Sequence, residues 1–377
     1  MDYSYSKEQK ILADSARDFL KNEAPGSEVK LLFEDDKGYS PKVWKKMSEL
    51  GWQALVIDEK YNGIGSSFID LAIIMVEIGR SAMPGPFFST VVLSGLLMQD
   101  SGSEEIKSKY LPEIADGKCI STLAFLGKNG FYSKNDIEIE SKKANNEYIL
   151  NGSAFFVPYA HAADIIICAA KNSSNNDDAT LFVVDVKKTS GLEITQLKTI
   201  SGIGIECMIT LKDVKVSSDN IIGETGKGWG YIKALWPKIS VALSCMCTGG
   251  MQKVVEMTCD YVNQRIQFGR PLAAFQAVAH LCSDMCIKSE VSKRAVFPAA
   301  WHISENNKES KNEAAIVKAM CSEAFKDITK IAHQVTGAIG FTEEYDLHLY
   351  TKYAKTLEVL FGNGSFHRNI VADELGL

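Results

Sequence analysis

Apolar residues recur at helical spacing over the first 117 residues. Ser6 followed by Gln9 forms a capping box, and Ile11, Leu12, Ser15, Ala16, Phe19 and Leu20 then repeat at the 3.6-residue period. Ser40-Pro41 opens a second helix with a capping hydroxyl and a proline in the first turn. Its apolar face carries Trp44, Met47 and Leu50, and Gly51 ends it. The pattern predicts further helices at 67–82, 87–100 and 103–116, punctuated by Gly51, Gly63, Gly65, Gly85 and Gly117.

The middle of the chain has a different texture. Ile120–Phe125, Ile137–Lys143, Glu147–Leu150, Ala154–Val157, Ile165–Ala170, Thr180–Val186 and Met208–Leu211 are short and rich in β-branched residues. Turn clusters at Asn145-Asn146 and Ser173–Asp178 separate them. Strands with no helix between them predict an antiparallel barrel or sandwich rather than a parallel sheet. Gly223 to Gly228 is a glycine-bearing joint, after which helical periodicity returns in long segments at 229–266, 275–305, 310–338 and 346–374. Four such segments in succession predict an antiparallel bundle. The fold class is therefore α+β: an N-terminal helical domain (1–117), a central antiparallel β domain (118–226) and a C-terminal four-helix bundle (227–377). No internal repeat or low-complexity segment interrupts this plan.

Composition narrows the function. Of the 377 residues 46% are hydrophobic and 23% charged, as in an ordinary globular protein with a large core. A formal net charge of -6 without a long basic run argues against nucleic acid or an anionic membrane as partner. The start, MDYSYSKEQK, shows no signal peptide, and no apolar run approaches the roughly 20 residues needed to span a bilayer. The nine cysteines include Cys245 with Cys247 and Cys282 with Cys286. Both pairs lie in helical patterns without paired histidines, so they read as small apolar residues of a reduced, cytoplasmic protein rather than as a zinc site.

Two segments carry candidate chemistry. In YVNQRIQFGRPLAAFQ, Arg265 and Phe268 follow one helix and Gln276 opens the next. An arginine at a helix end can clamp phosphate oxygens, and a phenylalanine three residues later can stack on an adenine. The competing reading, an arginine capping its helix and a ring filling the core, is equally consistent with R-x-x-F. In HQVTGAIGFTEEY, Gln334, Gly337 and Gly340 sit where a helix ends, and glycines there let backbone N–H groups approach an anion. A glycine-rich helix terminus and turn is the alternative. Elsewhere, His280 and Asp284 at i and i+4 read as a structural pair. His367 and Arg368 read either as phosphate contacts or as a solvated helix end.

The two segments, the stretch LKDVKVSSDNIIGETGKGWGY and the order of the domains together resemble the acyl-CoA dehydrogenase family over nearly the whole chain. The resemblance implies FAD as cofactor and desaturation of an acyl-CoA thioester. It implies that Arg265, Phe268, Gln276, Gln334, Gly337 and Gly340 grip the pyrophosphate and adenosine of an FAD whose flavin ring lies in the neighbouring subunit. The absence of a G-x-G-x-x-G agrees, since the family binds FAD without one, and Gly202-Ile203-Gly204 reads as a turn. Electron-transfer flavoprotein is the electron acceptor that the resemblance implies.

The chain departs from the family where the chemistry should be. The Y-E-G-T motif that supplies the catalytic glutamate in most members is replaced by Leu360-Phe361-Gly362-Asn363-Gly364-Ser365, with no acid in any single-residue register. Glu358 lies one turn earlier and is the remaining candidate base. The alternative position, early in the first bundle helix, reads Trp236-Pro237-Lys238-Ile239-Ser240. The flavin-side T-E-P-G-like loop is Leu123-Ala124-Phe125-Leu126-Gly127-Lys128, and Pro158 stands where a threonine hydroxyl meets the flavin. Three readings follow: a catalytically silent partner subunit of a heteromeric dehydrogenase, an active homotetramer with a displaced base, or a flavin monooxygenase or structural relative on the same fold.

Overall fold

The computed structural model describes residues 5–172, 175–199 and 204–377, with the side chains of 175–177 left aside. The predicted turn residues 173 and 174, and residues 202 and 203 of the Gly202-Ile203-Gly204 turn, lie outside the described residues. The helices are α1 (Lys7–Glu23), α2 (Gly26–Glu34), α3 (Pro41–Glu49), α4 (Phe68–Ser81), α5 (Leu96–Ser101, preceded by a π-helical stretch Phe88–Gly95), α6 (Glu104–Ala115), α7 (Gly228–Gln264), α8 (Gln276–Ser304), α9 (Ser310–Thr336), α10 (Leu347–Val359) and α11 (Gly364–Glu374). The strands are β1 (Ser121–Ala124), β2 (Glu140–Ala144), β3 (Glu147–Pro158), β4 (Ile165–Asn172), β5 (Asn175–Asp185), β6 (Leu192–Leu197), β7 (Glu206–Ser217), β8 (Ile221–Ile222), β9 (Ile266–Gln267) and β10 (Arg270–Pro271). Contacts divide the chain into two compact units, one of residues 1–31, 68–83 and 237–377, the other of residues 32–67 and 84–236. The three-part division read from composition follows secondary-structure type, and it stands as a proposal about domains.

In the first unit local signals and packing agree. Ser6 Oγ accepts from Gln9 N–H and Gln9 Oε1 accepts from Ser6 N–H, so the capping box closes in both directions at 3.1 Å. α1 lays Ala13, Ala16 and Leu20 against α4. α4 is apolar nearly all round and buried nearly all round, as that composition requires. Its one buried acid, Glu77, takes a two-pronged contact from Arg17 at 2.7 and 3.1 Å. α4 and α7 approach closely because both are glycine at the crossing. A Cβ on Gly79 would lie 2.1 Å from the Met246 carbonyl oxygen, and one on Gly249 would lie 1.8 Å from that of Val76.

The predicted fourth bundle helix, 346–374, is two helices. Phe361 at φ 54° and Gly362 at φ 100° break it, and the Asn363 side chain caps α11 by accepting from Phe366 N–H. Under the break lies Lys318, fully buried on α9. Its ammonium donates to the carbonyls of Leu357 (2.8 Å), Gly362 (3.2 Å) and Glu358 (3.5 Å). Burial lowers its pKa to about 8. His367, also fully buried, donates from Nε2 to the Phe361 carbonyl at 3.0 Å. Burial and then the Lys318 charge push its pKa down to about 4. The unfolded chain takes this proton near pH 6.5 while the fold refuses it until about 4. Stability present above 6.5 is therefore lost as pH falls through this window, by up to about 3 kcal/mol from this group. Denaturant titrations at pH 7 and pH 4.5 should show a smaller acid loss in His367→Gln than in the parent chain.

In the second unit the strands form one sheet of order β6-β7-β3-β2-β4-β5-β8, with β1 on β4. Most pairings are antiparallel as predicted, but β1 and β2 both run parallel to β4. The sequence alone hides this, because β1 and β2 return to β4 only after the β2–β3 hairpin has intervened. That hairpin turns at Asn145-Asn146, with Asn145 at φ 57°. The two short strands expected at 147–150 and 154–157 are one strand with two irregularities, and β6 and β8 escape a pattern search because they are half-exposed or only two residues long.

Candidate functional site

The two segments singled out in the sequence lie in the first unit. After α7, the chain makes a two-residue hairpin in which Gln267 pairs with Arg270. Phe268 (φ 52°) and Gly269 (φ 77°) fill the turn, both in the left-handed region that a two-residue hairpin of this kind demands. Asparagine-glycine is the low-strain choice there, and a phenylalanine costs roughly 1–2 kcal/mol. The ring is 90% exposed, so core packing does not explain it. Its ring partner among the described residues is Phe275, met edge-on with centroids 6.0 Å apart, and Phe275 in turn lies under the Arg270 guanidinium at 4.1 Å. Arg265 is exposed and makes no ion pair with the described residues; its backbone carbonyl receives Leu272 N–H at 2.9 Å. Gln276 is exposed at the start of α8. The reading of Phe268 as a core plug is thereby excluded.

The second segment ends α9. Gln334 and Gly337 are exposed, and Gly337 sits at φ 64° with open space where a side chain would be. Gly340 is different: it is buried, and a Cβ would meet Thr336 Oγ1 at 2.2 Å and His333 Nδ1 at 3.2 Å, so it packs the turn. The two segments share an end of the bundle. The Tyr345 hydroxyl donates to the Met257 carbonyl at 2.8 Å, and its ring lies 6.0 Å from that of Tyr261, one turn before Arg265. An exposed arginine without a counter-ion among the described residues, an exposed ring in a left-handed turn and an open positive-φ glycine form a set that fits the nucleotide end of a dinucleotide.

The turn at the base position is poorly suited to carry an acid. A Cβ at Gly362 would lie 2.3 Å from the Phe366 ring. Glu358, one turn earlier, is bound by Lys326 at 2.6 Å and Lys355 at 2.8 Å. Burial pushes its pKa up, but the two ammonium groups outweigh that and leave it below the ordinary value. A general base for a carbon acid needs the opposite shift. His280 and Asp284 are both exposed and make no hydrogen bond to each other, so they are not the structural pair expected. His367 is buried under the 361 carbonyl and is not solvated, whereas Arg368 is exposed and forms a two-pronged pair with Glu323 at 2.6 and 2.5 Å.

In the second unit, Asp136 pins the loop that follows β1: it accepts from Gly127 N–H (3.1 Å), Phe131 N–H (2.9 Å) and the Asn129 amide (3.2 Å). Phe125 then packs within 6.4 Å of Tyr132, Trp229 and Trp236, and Tyr132 meets Trp236 edge-on at 5.4 Å. The Pro158 carbonyl accepts from the Thr122 hydroxyl at 2.7 Å, and Phe156 stands at φ 54°. The segment expected to face a flavin ring offers this chain's own aromatic rings and a proline rather than hydroxyl donors.

Sequence profiles for the acyl-CoA dehydrogenase N-terminal and C-terminal domains match residues 6–118 and 226–376. The chain belongs to the acyl-CoA dehydrogenase family. Its homologues in this family are FAD-dependent oxidoreductases. A probable acyl-CoA dehydrogenase of Bacillus subtilis, YngJ, is 26% identical over the full length of both chains. Butyryl-CoA dehydrogenase of Megasphaera elsdenii superposes with a TM-score of 0.93 at 24% identity, covering all of both chains. The ChsE4-ChsE5 complex of Mycobacterium tuberculosis superposes with a TM-score of 0.89 at 22% identity, over 100% of this chain and 99% of that one. These two likenesses establish the fold. No helix among the described residues is long and apolar enough to cross a membrane.

Sequence reasoning missed Lys318, Asp136 and the buried role of His367, which it read as a phosphate contact or a solvated helix end. Lys318 carried a signal: it lies on the stripe of Ala314, Ala315, Cys321 and Phe325 that α9 buries, where a lysine needs carbonyl partners. Nothing local marks the other two.

Proposed function

We propose that this chain is the partner subunit of a heteromeric acyl-CoA dehydrogenase. It lends Arg265, Phe268, Gln276, Gln334 and Gly337 to the nucleotide end of an FAD whose ring a homologous sister chain holds, with Gly340 packing the turn beneath, and it supplies no catalytic base of its own. FAD bound there would supply the acceptor for the substrate's β-hydrogen as hydride. The carrying observation is the turn at 360–363: no acid stands in it, Gly362 leaves no room for one, and Glu358 is held ionised by two lysines. The aromatic packing around Phe125 and the proline at 158 support the same reading, because a chain that no longer houses a ring can fill that space with its own side chains. A chain of the ChsE4-ChsE5 complex has this fold, so the fold occurs in an assembly of two named components. An acyl-CoA substrate, electron-transfer flavoprotein as acceptor and a cytoplasmic location complete the proposal by family resemblance.

The test uses substrate-driven bleaching of flavin absorbance under anaerobic conditions. The chain alone should show none with a panel of acyl-CoA thioesters, and co-expression with homologues encoded beside it should produce it. Glu358→Gln in this chain should leave the bleaching rate of the mixed assembly within about twofold. A loss of 100-fold or more, about 2.7 kcal/mol, would instead make Glu358 the base and overturn the proposal.

A further inference from the structure

We propose that Cys259 of α7 and Cys282 of α8 are a redox modification site, a dithiol that hydrogen peroxide closes to a disulfide across the two helices. Cys119, Cys168, Cys207, Cys245, Cys247 and Cys321 are buried and fill the interior as small apolar side chains. The other three cysteines cluster nearer the surface: Cys259 and Cys282 are half-buried and Cys286 is exposed. The hairpin at 266–271 turns the chain back on itself, with Leu272 N–H on the Arg265 carbonyl at 2.9 Å, so α8 starts beside the end of α7. Cys259 and Cys282 each stand about one and a half turns from that connection, which places them opposite one another. Their side chains meet: Cys282 S–H donates to Cys259 Sγ. Cys286, one turn further along α8, bears on Cys259 electrostatically.

Among the described residues no three His, Cys, Asp or Glu side chains are placed to hold a metal ion, which leaves thiol oxidation as the chemistry of this cluster. Burial raises both thiols above their ordinary pKa, Cys282 to about 11, while the hydrogen bond from Cys282 favours charge on the Cys259 sulfur. At neutral pH the pair therefore rests as two thiols, and Cys259 is the sulfur that a peroxide reaches as thiolate. The Cys259 thiolate displaces hydroxide from hydrogen peroxide and becomes a sulfenic acid. The Cys282 sulfur then attacks that sulfur, loses its proton and expels the oxygen as water. In sum two thiols lose two electrons and two protons, and one peroxide becomes two waters. A hydrogen-bonded pair of thiols comes within bonding distance through side-chain rotation alone, without backbone movement. The bridge ties α7 to α8 at the base of the hairpin that carries Arg265 and Phe268, and a dithiol reductant reopens it.

The experiment treats the full chain, in its purified assembly, with hydrogen peroxide, blocks the remaining thiols with an alkylating reagent and maps tryptic peptides without reduction. The peptide that contains Cys259 should be joined to the one that contains Cys282 and Cys286, with fragmentation placing the link at Cys282, and dithiothreitol should release it. Cys286→Ser should keep the link, and Cys259→Ser should abolish it and leave Cys282 open to alkylation. Both variants should melt within about 2 °C of the parent chain. The parent map decides the question by itself if a variant fails to fold. A link placed at Cys286, no link at peroxide levels that already oxidise the exposed Cys286, or oxidation of Cys259 to the sulfinic acid without a bridge overturns the proposal.

Discussion

Lys318→Met is expected to lower stability by roughly 3–5 kcal/mol, and Lys318→Glu to prevent folding of the bundle. The ammonium is fully buried and its three acceptors are the carbonyls that close α10 and the 360–363 turn. Methionine matches the length of the stem but leaves those oxygens without a donor in a dry interior, at roughly 1–3 kcal/mol for each lost partner. Glutamate adds a negative charge facing the same oxygens, and a buried charge without a partner is among the costliest single changes. Differential scanning calorimetry should show the first transition of Lys318→Met falling by roughly 10 °C. A shift under about 2 °C would mean that the turn closes by other means.

Phe268→Asn should move stability and cofactor retention in opposite directions. Asparagine suits the left-handed first position of the Phe268-Gly269 turn and recovers part of the roughly 1–2 kcal/mol of strain, so the hairpin should melt no earlier than in the parent chain. The exposed ring is lost, and with it a stacking surface worth roughly 1–2 kcal/mol, so FAD should leave the mixed assembly about tenfold more readily. A purely structural phenylalanine predicts the reverse pair of outcomes: lower melting temperature with unchanged flavin exchange.

Much of the fold was legible because its signals are local. The Ser6–Gln9 capping box, the Ser40 cap with Pro41 and the Asn145-Asn146 turn each resolve within a few residues, and the structure realises all three. The parallel pairing of β1 and β2 with β4 was not, because parallel partners depend on where a long connection returns the chain rather than on any one strand's pattern. The break at Phe361 was hidden for a related reason: a bulky residue at positive φ is stabilised by Lys318, 43 positions earlier, and by His367. At the site, the sequence located the exposed Arg265, Phe268 and Gln334. It did not distinguish Gly337, which is open, from Gly340, which is packed, since a G-x-x-G spacing carries no information about what lies above each glycine. It also left Glu358 as a candidate base, because the two lysines that hold it come from different helices.

In the proposed assembly this chain supplies the arginine and another chain holds the ring. Flavin stoichiometry in the co-expressed assembly, measured with Arg265→Ala in this chain only, tests that most directly. About one FAD for each pair of unlike chains in the parent assembly is predicted, with FAD affinity falling roughly 30- to 150-fold in the variant through loss of a charge-assisted clamp of about 2–3 kcal/mol. An assembly that keeps its full flavin after Arg265→Ala, or a homo-oligomer of this chain alone that holds one FAD per chain and is bleached by an acyl-CoA, contradicts it.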